Sequence, residues 1–263
     1  MKIDYSEVYG VDMRKNDAHL SILCPVLRDD YLDKTPCRNH YSLLAYLSNK
    51  INNGIIVEVG SYLGVSSIAL ANNSSNKVIT YDILPNFQGA VAEYLSPEQI
   101  DSAVRFTKGS RESFPPLGLI DRNFLPLNIE IMVKEDGNVL GKTEVISTVL
   151  DNQRECIVTK RENDPQLLLN SDLFFLDAAH DGKMEKDIYD FLVENNYRGI
   201  LLLDDISLNK EMVLFWQQIK EKKYDITEVG HGIVDDLHRS GTGLVDFSGK
   251  VEVIRPTAPP PLT

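Results

Sequence analysis

One stretch limits the choice of fold more than any other. From Gly54 to Asn72 the chain reads Gly-Ile-Ile-Val-Glu-Val-Gly-Ser-Tyr-Leu-Gly-Val-Ser-Ser-Ile-Ala-Leu-Ala-Asn. Ile55, Ile56 and Val57 form a β-branched run without polar alternation, the pattern of a strand covered on both faces. Gly60 and Gly64 follow, and Val65 to Leu70 is the apolar start of a helix. Strand, glycine turn and helix make a ligand cradle, because glycine lets backbone approach a ligand and a helix start offers unpaired N–H groups. The spacing Gly60-x-x-x-Gly64 is not the G-x-G-x-x-G of dinucleotide binding. Glu58, just before the first glycine, opposes a pyrophosphate and suits a ligand that carries a cation. The plainer alternative is a strand–turn–helix whose glycines serve packing alone.

The partners are narrowed by charge. Lys and Arg number 27 against 39 Asp and Glu, a formal net charge of −12, which disfavours a phosphate backbone or an anionic membrane surface. Nucleic acid and membrane are therefore not expected partners, and a small or cationic ligand stays open. Cys24, Cys37 and Cys156 show no metal-binding spacing, and an odd number does not build a disulfide framework, so a cytoplasmic setting is the simplest. The first residues lack a signal-type apolar core, and no apolar run reaches membrane length. The 263 residues suffice for one large core, and residues 1–255 are expected to form one domain with a disordered Pro-rich tail over 256–263.

Residues 1–53 read as an N-terminal helical layer interrupted by Pro25 and Pro36, with Tyr41 to Ile51 at helical spacing. Val78 to Asp82 is a second buried strand, and its terminal Asp82 lies 24 residues beyond Glu58. In a βαβ unit that spacing sets an acid over the first cradle, where it accepts from ribose hydroxyls; the alternative is a turn aspartate. Ser96-Pro97-Glu98-Gln99 starts a helix. A third strand is expected at Val104 to Lys108 or near Cys156, and roughly 110–170 reads as an insertion holding a β-hairpin, with Asn128 to Val133 and Val139 to Ile146 flanking the turn Glu135-Asp136-Gly137-Asn138. Asp172 to Asp177 and Gly199 to Asp205 are further buried strands ending in acids. Met184 to Val193 and Asn209 to Lys222 are helical, and Tyr224 to Val229 with Gly243 to Phe247 closes the series as two strands.

Alternating strands and helices predict a doubly wound, mostly parallel α/β sheet whose strands all present their carboxyl ends to one edge. Asp82, Asp177, Asp204 and Asp205 should converge there. Unrelieved, such carboxylates repel, and a divalent cation removes the repulsion; oxygen donors suit Mg²⁺, Mn²⁺ or Ca²⁺. The alternative is that the aspartates cap the helices that follow. His180, three residues past Asp177, is placed for proton transfer near neutral pH.

Over roughly residues 40–248 the chain resembles the class I S-adenosylmethionine-dependent methyltransferases. Glu58-Val59-Gly60 through Gly64 matches that superfamily's first motif, and Asp82 its ribose-binding acid. Leu176 to Gly182, Leu203 to Ile206 and Gly241 to Val245 resemble a bacterial branch similar to metal-dependent O-methyltransferases. In the metal-dependent O-methyltransferases of the catechol type an Asp after the fourth strand and Asp-Asn after the fifth hold a metal; Asp177 and Asp204 match, Asp205 replaces the Asn, and His180 stands where a Lys is common.

The resemblance implies a seven-stranded Rossmann-like sheet with an antiparallel last strand, N-terminal helices and a β-hairpin insertion. It implies S-adenosylmethionine held by Glu58, Gly60, Ser61, Gly64, Asp82 and Asp177, and a divalent cation on Asp177, Asp204 and Asp205. His180 and Asp177 would be catalytic toward the hydroxyl of a small-molecule acceptor, with His231 a lesser candidate for acceptor contact. An NAD-dependent oxidoreductase and a non-catalytic nucleoside binder are the competing classes. The sequence leaves open whether the chain forms a homo-oligomer.

Overall fold

In the computed structural model, residues 1–12, 37–61, 64–82, 129–133, 138–141, 144–150, 156–162, 165–230 and 240–255 are described, and the chain begins with a strand, not a helix. β1 (Lys2–Asp4) pairs in parallel with β11 (Glu252–Ile254), so the two ends of the described chain close on each other. α1 (Tyr5–Tyr9) starts at the Asp4 cap, whose carboxylate accepts from Ser6 N. α2 (Cys37–Lys50) starts four residues before the predicted Tyr41 and brings His40 onto the helix.

Among the described residues the central sheet has nine strands: β2 (Ile55–Val59), β3 (Lys77–Asp82), β4 (Ile129–Val133), β5 (Glu144–Leu150), β6 (Cys156–Glu162), β7 (Leu173–Leu176), β8 (Ile200–Asp204), β9 (Lys223–Asp225) and β10 (Thr242–Asp246). Their order is β6-β5-β4-β3-β2-β7-β8-β10-β9. β4, β3, β2, β7 and β8 run parallel, and β10 lies antiparallel between β8 and β9. The seven strands from β4 to β9 form the expected mostly parallel sheet, and the antiparallel pair β5–β6 extends it at the β4 edge.

The strand beside β3 is Ile129–Val133, and neither stretch offered by the sequence takes that place. Val104 to Lys108 lies outside the described residues, as does the helix start at Ser96, and the Cys156 strand is the outer edge of the sheet. Tyr224 to Val229 is likewise only partly a strand: β9 stops at Asp225, and Thr227–Gly230 is a helical turn.

Period-2 alternation sorts the strand residues between two cores. Ile56, Val78, Leu173, Phe175, Ile200, Leu202 and Leu244 pack with α1, α2 and α3 (Val65–Leu70). Val57, Val59, Ile79, Phe174, Leu176, Leu201, Leu203 and Val245 face the other way. There they meet α4 (Gln166–Leu169), α5 (Lys183–Glu194) and α6 (Lys210–Gln218). Met212, Phe215 and Ile219 of the α6 stripe are buried, as the spacing predicted for core. Among the described residues no helix is long and apolar enough to cross a membrane.

The turn after β10 carries a testable charge. Asp246 is buried and accepts from Ser248 Oγ at 2.6 Å, Val251 N at 2.8 Å and Lys250 N at 3.3 Å. Burial pulls its pKa up, but these bonds outweigh burial and hold it below the usual value. A depressed carboxyl stabilises the fold above its unfolded value of about 3.9, and that stability is lost as pH falls through the folded value. Asp246→Asn should therefore cost about 1–2 kcal/mol at pH 7, and urea melts should show the difference shrinking below pH 4.

Candidate active site

Register sets the acids in one row. Val59 pairs with Tyr81 and with Leu176, and Leu176 pairs with Leu203. The residues one step further along the four strands are Gly60, Asp82, Asp177 and Asp204. Asp82, Asp177 and Asp204 thus converge at one sheet edge, as the alternation of strands and helices predicts.

Gly60 (φ +98°) is the turn out of β2. Its N–H donates to Tyr81 O at 2.9 Å, while Asp177 N donates to Val59 O at 2.9 Å. Strand β7 passes so close that a Cβ on Gly60 would overlap the Asp177 carbonyl oxygen. Gly64 (φ +79°) opens α3 from the left-handed region, which glycine enters without strain.

Glu58 and Ser61, expected to line the cofactor, are both buried behind the turn. Glu58 shares the alternation of Ile56, so its side chain points into the α3 side of the core, where it is fully buried. There its Oε2 accepts from Thr80 Oγ1 at 2.6 Å and from Ser67 Oγ. Ser61, also buried, bonds to Thr80 Oγ1 and donates to Tyr81 O at 3.3 Å. These groups brace the turn from behind. Burial raises the Glu58 carboxyl above its ordinary range, and the hydroxyls of Ser66, Ser67 and Thr80 oppose that shift. Asp82, half-buried, ends β3 beside Gly60.

The second cluster stands on the loops after β7 and β8. His180 Nε2 is 3.5 Å from Asp177 Oδ1, and His180 Nδ1 is 3.5 Å from Asp205 Oδ2. Ligand atoms of Asp177, His180 and Asp205 all lie within 4.8 Å of one another, a spacing one cation can span. The backbone is strained at this point: Ala179, His180 and Asp205 have φ of +61°, +53° and +59°. Asp177 is held well above the usual carboxylate range, first by burial and then by the negative charges of Asp204, Asp205 and Glu58.

Asp204 does not join that group of three. It continues the alternation of Ile200 and Leu202, so it faces α2. Its Oδ1 accepts from Thr242 Oγ1 at 3.3 Å, across the β8–β10 pair, and lies 3.9 Å from His40 Nδ1. Asp205 leaves the strand in a left-handed turn and so reaches His180. The cation ligands expected as Asp177, Asp204 and Asp205 are thus brought together as Asp177, His180 and Asp205. His40 and Thr242 had no role in the sequence reading. A helix starting at Cys37 instead of Tyr41 is what sets His40 beside the site, and Thr242 lies within the Gly241 to Val245 segment that carries the resemblance. His231 lies outside the described residues.

No family model matches the chain, and no curated protein does. Solved structures match in fold. The O-methyltransferase TomG from Streptomyces achromogenes, in complex with SAM, is 13% identical, with 92% of this chain and 96% of that chain covered and a TM-score of 0.47. A putative caffeoyl-CoA O-methyltransferase from Staphylococcus aureus is 13% identical, covering 92% and 99% at a TM-score of 0.46. The O-methyltransferase from Bacillus cereus, in complex with SAH, is 14% identical, covering 92% and 90% at a TM-score of 0.41.

Proposed function

We propose that the chain is an S-adenosylmethionine-dependent methyltransferase acting on a hydroxyl of a small molecule. One observation carries this reading: Gly60, Asp82 and Asp177 stand in one row at the sheet edge, beside the Asp177–His180–Asp205 cluster. Gly60 and Gly64 give the methionine end of the cofactor a close backbone approach, and Asp82 accepts from its ribose hydroxyls. Glu58 acts at one remove, by fixing the turn. The net charge of −12 accords with a small acceptor and not with a polyanion.

His180 takes the acceptor proton at Nε2 while Asp205 faces Nδ1, holding the tautomer and stabilising the imidazolium that forms. The oxygen gains the methyl group as the carbon–sulfur bond breaks, and S-adenosylhomocysteine leaves. Positioning of the two reactants supplies most of the acceleration. Asp177, His180 and Asp205 also fit a divalent cation, whose charge would relieve the repulsion that adds to burial in raising the Asp177 carboxyl. Such a cation would lower the pKa of a bound hydroxyl. The mixed nitrogen and oxygen donors admit Mn²⁺ as well as Mg²⁺. A cation-free reading, with His180 as the sole base, is favoured by the Asp205 contact to Nδ1.

Calorimetry with S-adenosylhomocysteine and, separately, NAD, each with and without Mg²⁺, tests the reading. Binding of the homocysteine nucleoside alone is expected; preference for NAD, or binding of neither, would sink it. Turnover that survives EDTA would select the cation-free form.

A further inference from the structure

We infer that Asn209 is a positioning residue for His180, tying together the two loops that carry the site. His180 and Ala179 both occupy left-handed backbone, unfavourable for L-residues by roughly 1–2 kcal/mol each, so the surroundings must hold them there. The hold on His180 comes from two sides. Its N–H donates to Glu185 Oε1 at 2.7 Å and to Ala178 O at 2.7 Å. Its carbonyl accepts from Asn209 Nδ2 at 2.7 Å.

Asn209 is at the same time the N-cap of α6, where its Oδ1 accepts from Met212 N at 2.9 Å. One planar amide therefore serves the helix after β8 with its oxygen and the loop after β7 with its nitrogen. The backbones of these loops are also packed tightly: a Cβ on Gly182 would stand 2.8 Å from Glu211 O. The ring that results from this clamp spans the same two loops, with Nε2 toward Asp177 and Nδ1 toward Asp205. Ser, Thr or Asp caps a helix as well as Asn does. None of them offers an amide N–H₂ beside the capping oxygen, so capping alone does not account for the residue chosen.

That difference supplies the experiment. Asn209→Ser and Asn209→Asp keep a capping oxygen and lose the amide donor to His180, so stability and positioning can be separated. In the full chain labelled with ¹³C at histidine Cε1, His180→Gln assigns the ring signal. Both capping variants are expected to shift or broaden that signal, while Tm is retained and S-adenosylhomocysteine affinity stays within about twofold. Mn²⁺ affinity, read by electron paramagnetic resonance, should fall on the order of tenfold, the scale of a lost supporting bond at a metal ligand.

The cation arm rests on the proposed function, but the ring signal needs neither cofactor nor metal. A natural chain that binds neither would sink the functional reading and leave the clamp to be decided by that signal. A ring signal unmoved in both variants overturns the inference, and so does one that moves only in step with a falling Tm.

Discussion

Gly60→Ala is expected to destabilise the fold by about 2–6 kcal/mol and to abolish binding of S-adenosylhomocysteine. Two effects add. Alanine at φ +98° is strained by roughly 1–3 kcal/mol, and forcing a methyl into packed backbone costs roughly 1–3 kcal/mol more. The new Cβ would overlap the Asp177 carbonyl oxygen, so the chain can accept it only by parting β2 from β7 at the row that holds the acids. Against a typical total of about 5–15 kcal/mol, that loss is large. Gly249→Ala separates the two effects. Gly249 also has a left-handed φ, +68°, yet nothing lies within 4 Å of the added Cβ, so only the conformational term of about 1–2 kcal/mol applies. Urea unfolding of both variants, with calorimetry on whatever remains folded, checks the comparison. Equal losses at the two glycines would show that the contact with β7 does not matter.

The same region shows what the sequence could and could not convey. β2, β7 and β8 were legible because strands covered on both faces must be apolar throughout, and Ile55 to Val57, Leu173 to Leu176 and Ile200 to Leu203 are. Their terminal acids were legible for the same reason: polarity returns where the sheet ends. β4 was legible as one arm of the hairpin, which its antiparallel pairing with β5 bears out, but not as the parallel neighbour of β3, because its buried Glu130 interrupts the apolar signature; Lys77 of the neighbouring strand, at 2.5 Å, makes that burial tolerable. β1 pairs with β11 from the far end of the described chain, Lys2 beside Glu252, and no local pattern announces so distant a partner. In the site, adjacent acids looked equivalent in one dimension. Alternation sends Asp204 toward α2, and a single left-handed residue sends Asp205 toward His180. Glu58 shows the converse: its type was informative, but alternation turns its side chain into the core, where its Oε2 accepts from Thr80.

The cluster's charge leads to an outcome that changes sign with metal. Asp177→Asn should stabilise the metal-free protein at neutral pH by about 0.5–2 kcal/mol, although it removes a residue of the proposed site. The folded chain holds the Asp177 proton more tightly than the unfolded chain, through burial first and then the charges of Asp204 and Asp205. Stability therefore falls as pH rises from the unfolded value of about 3.9 through the folded one, and above that the loss is complete. Asparagine does not titrate, so the two proteins should be closest near pH 4 and diverge as pH increases. A bound cation acts in the opposite direction. At a concentration 100 times its dissociation constant it would stabilise the natural chain by about 2.7 kcal/mol, whereas the variant, short of one carboxylate, should gain far less. Thermal melts at pH 4 and pH 7.5, each with EDTA or Mn²⁺, give the four comparisons. A variant less stable than the natural chain in EDTA at pH 7.5 would mean that the three aspartates do not oppose one another as their placement requires. Equal stabilisation of both proteins by Mn²⁺ would move the cation away from Asp177 and leave His180 and Asp205 to act on the acceptor without it.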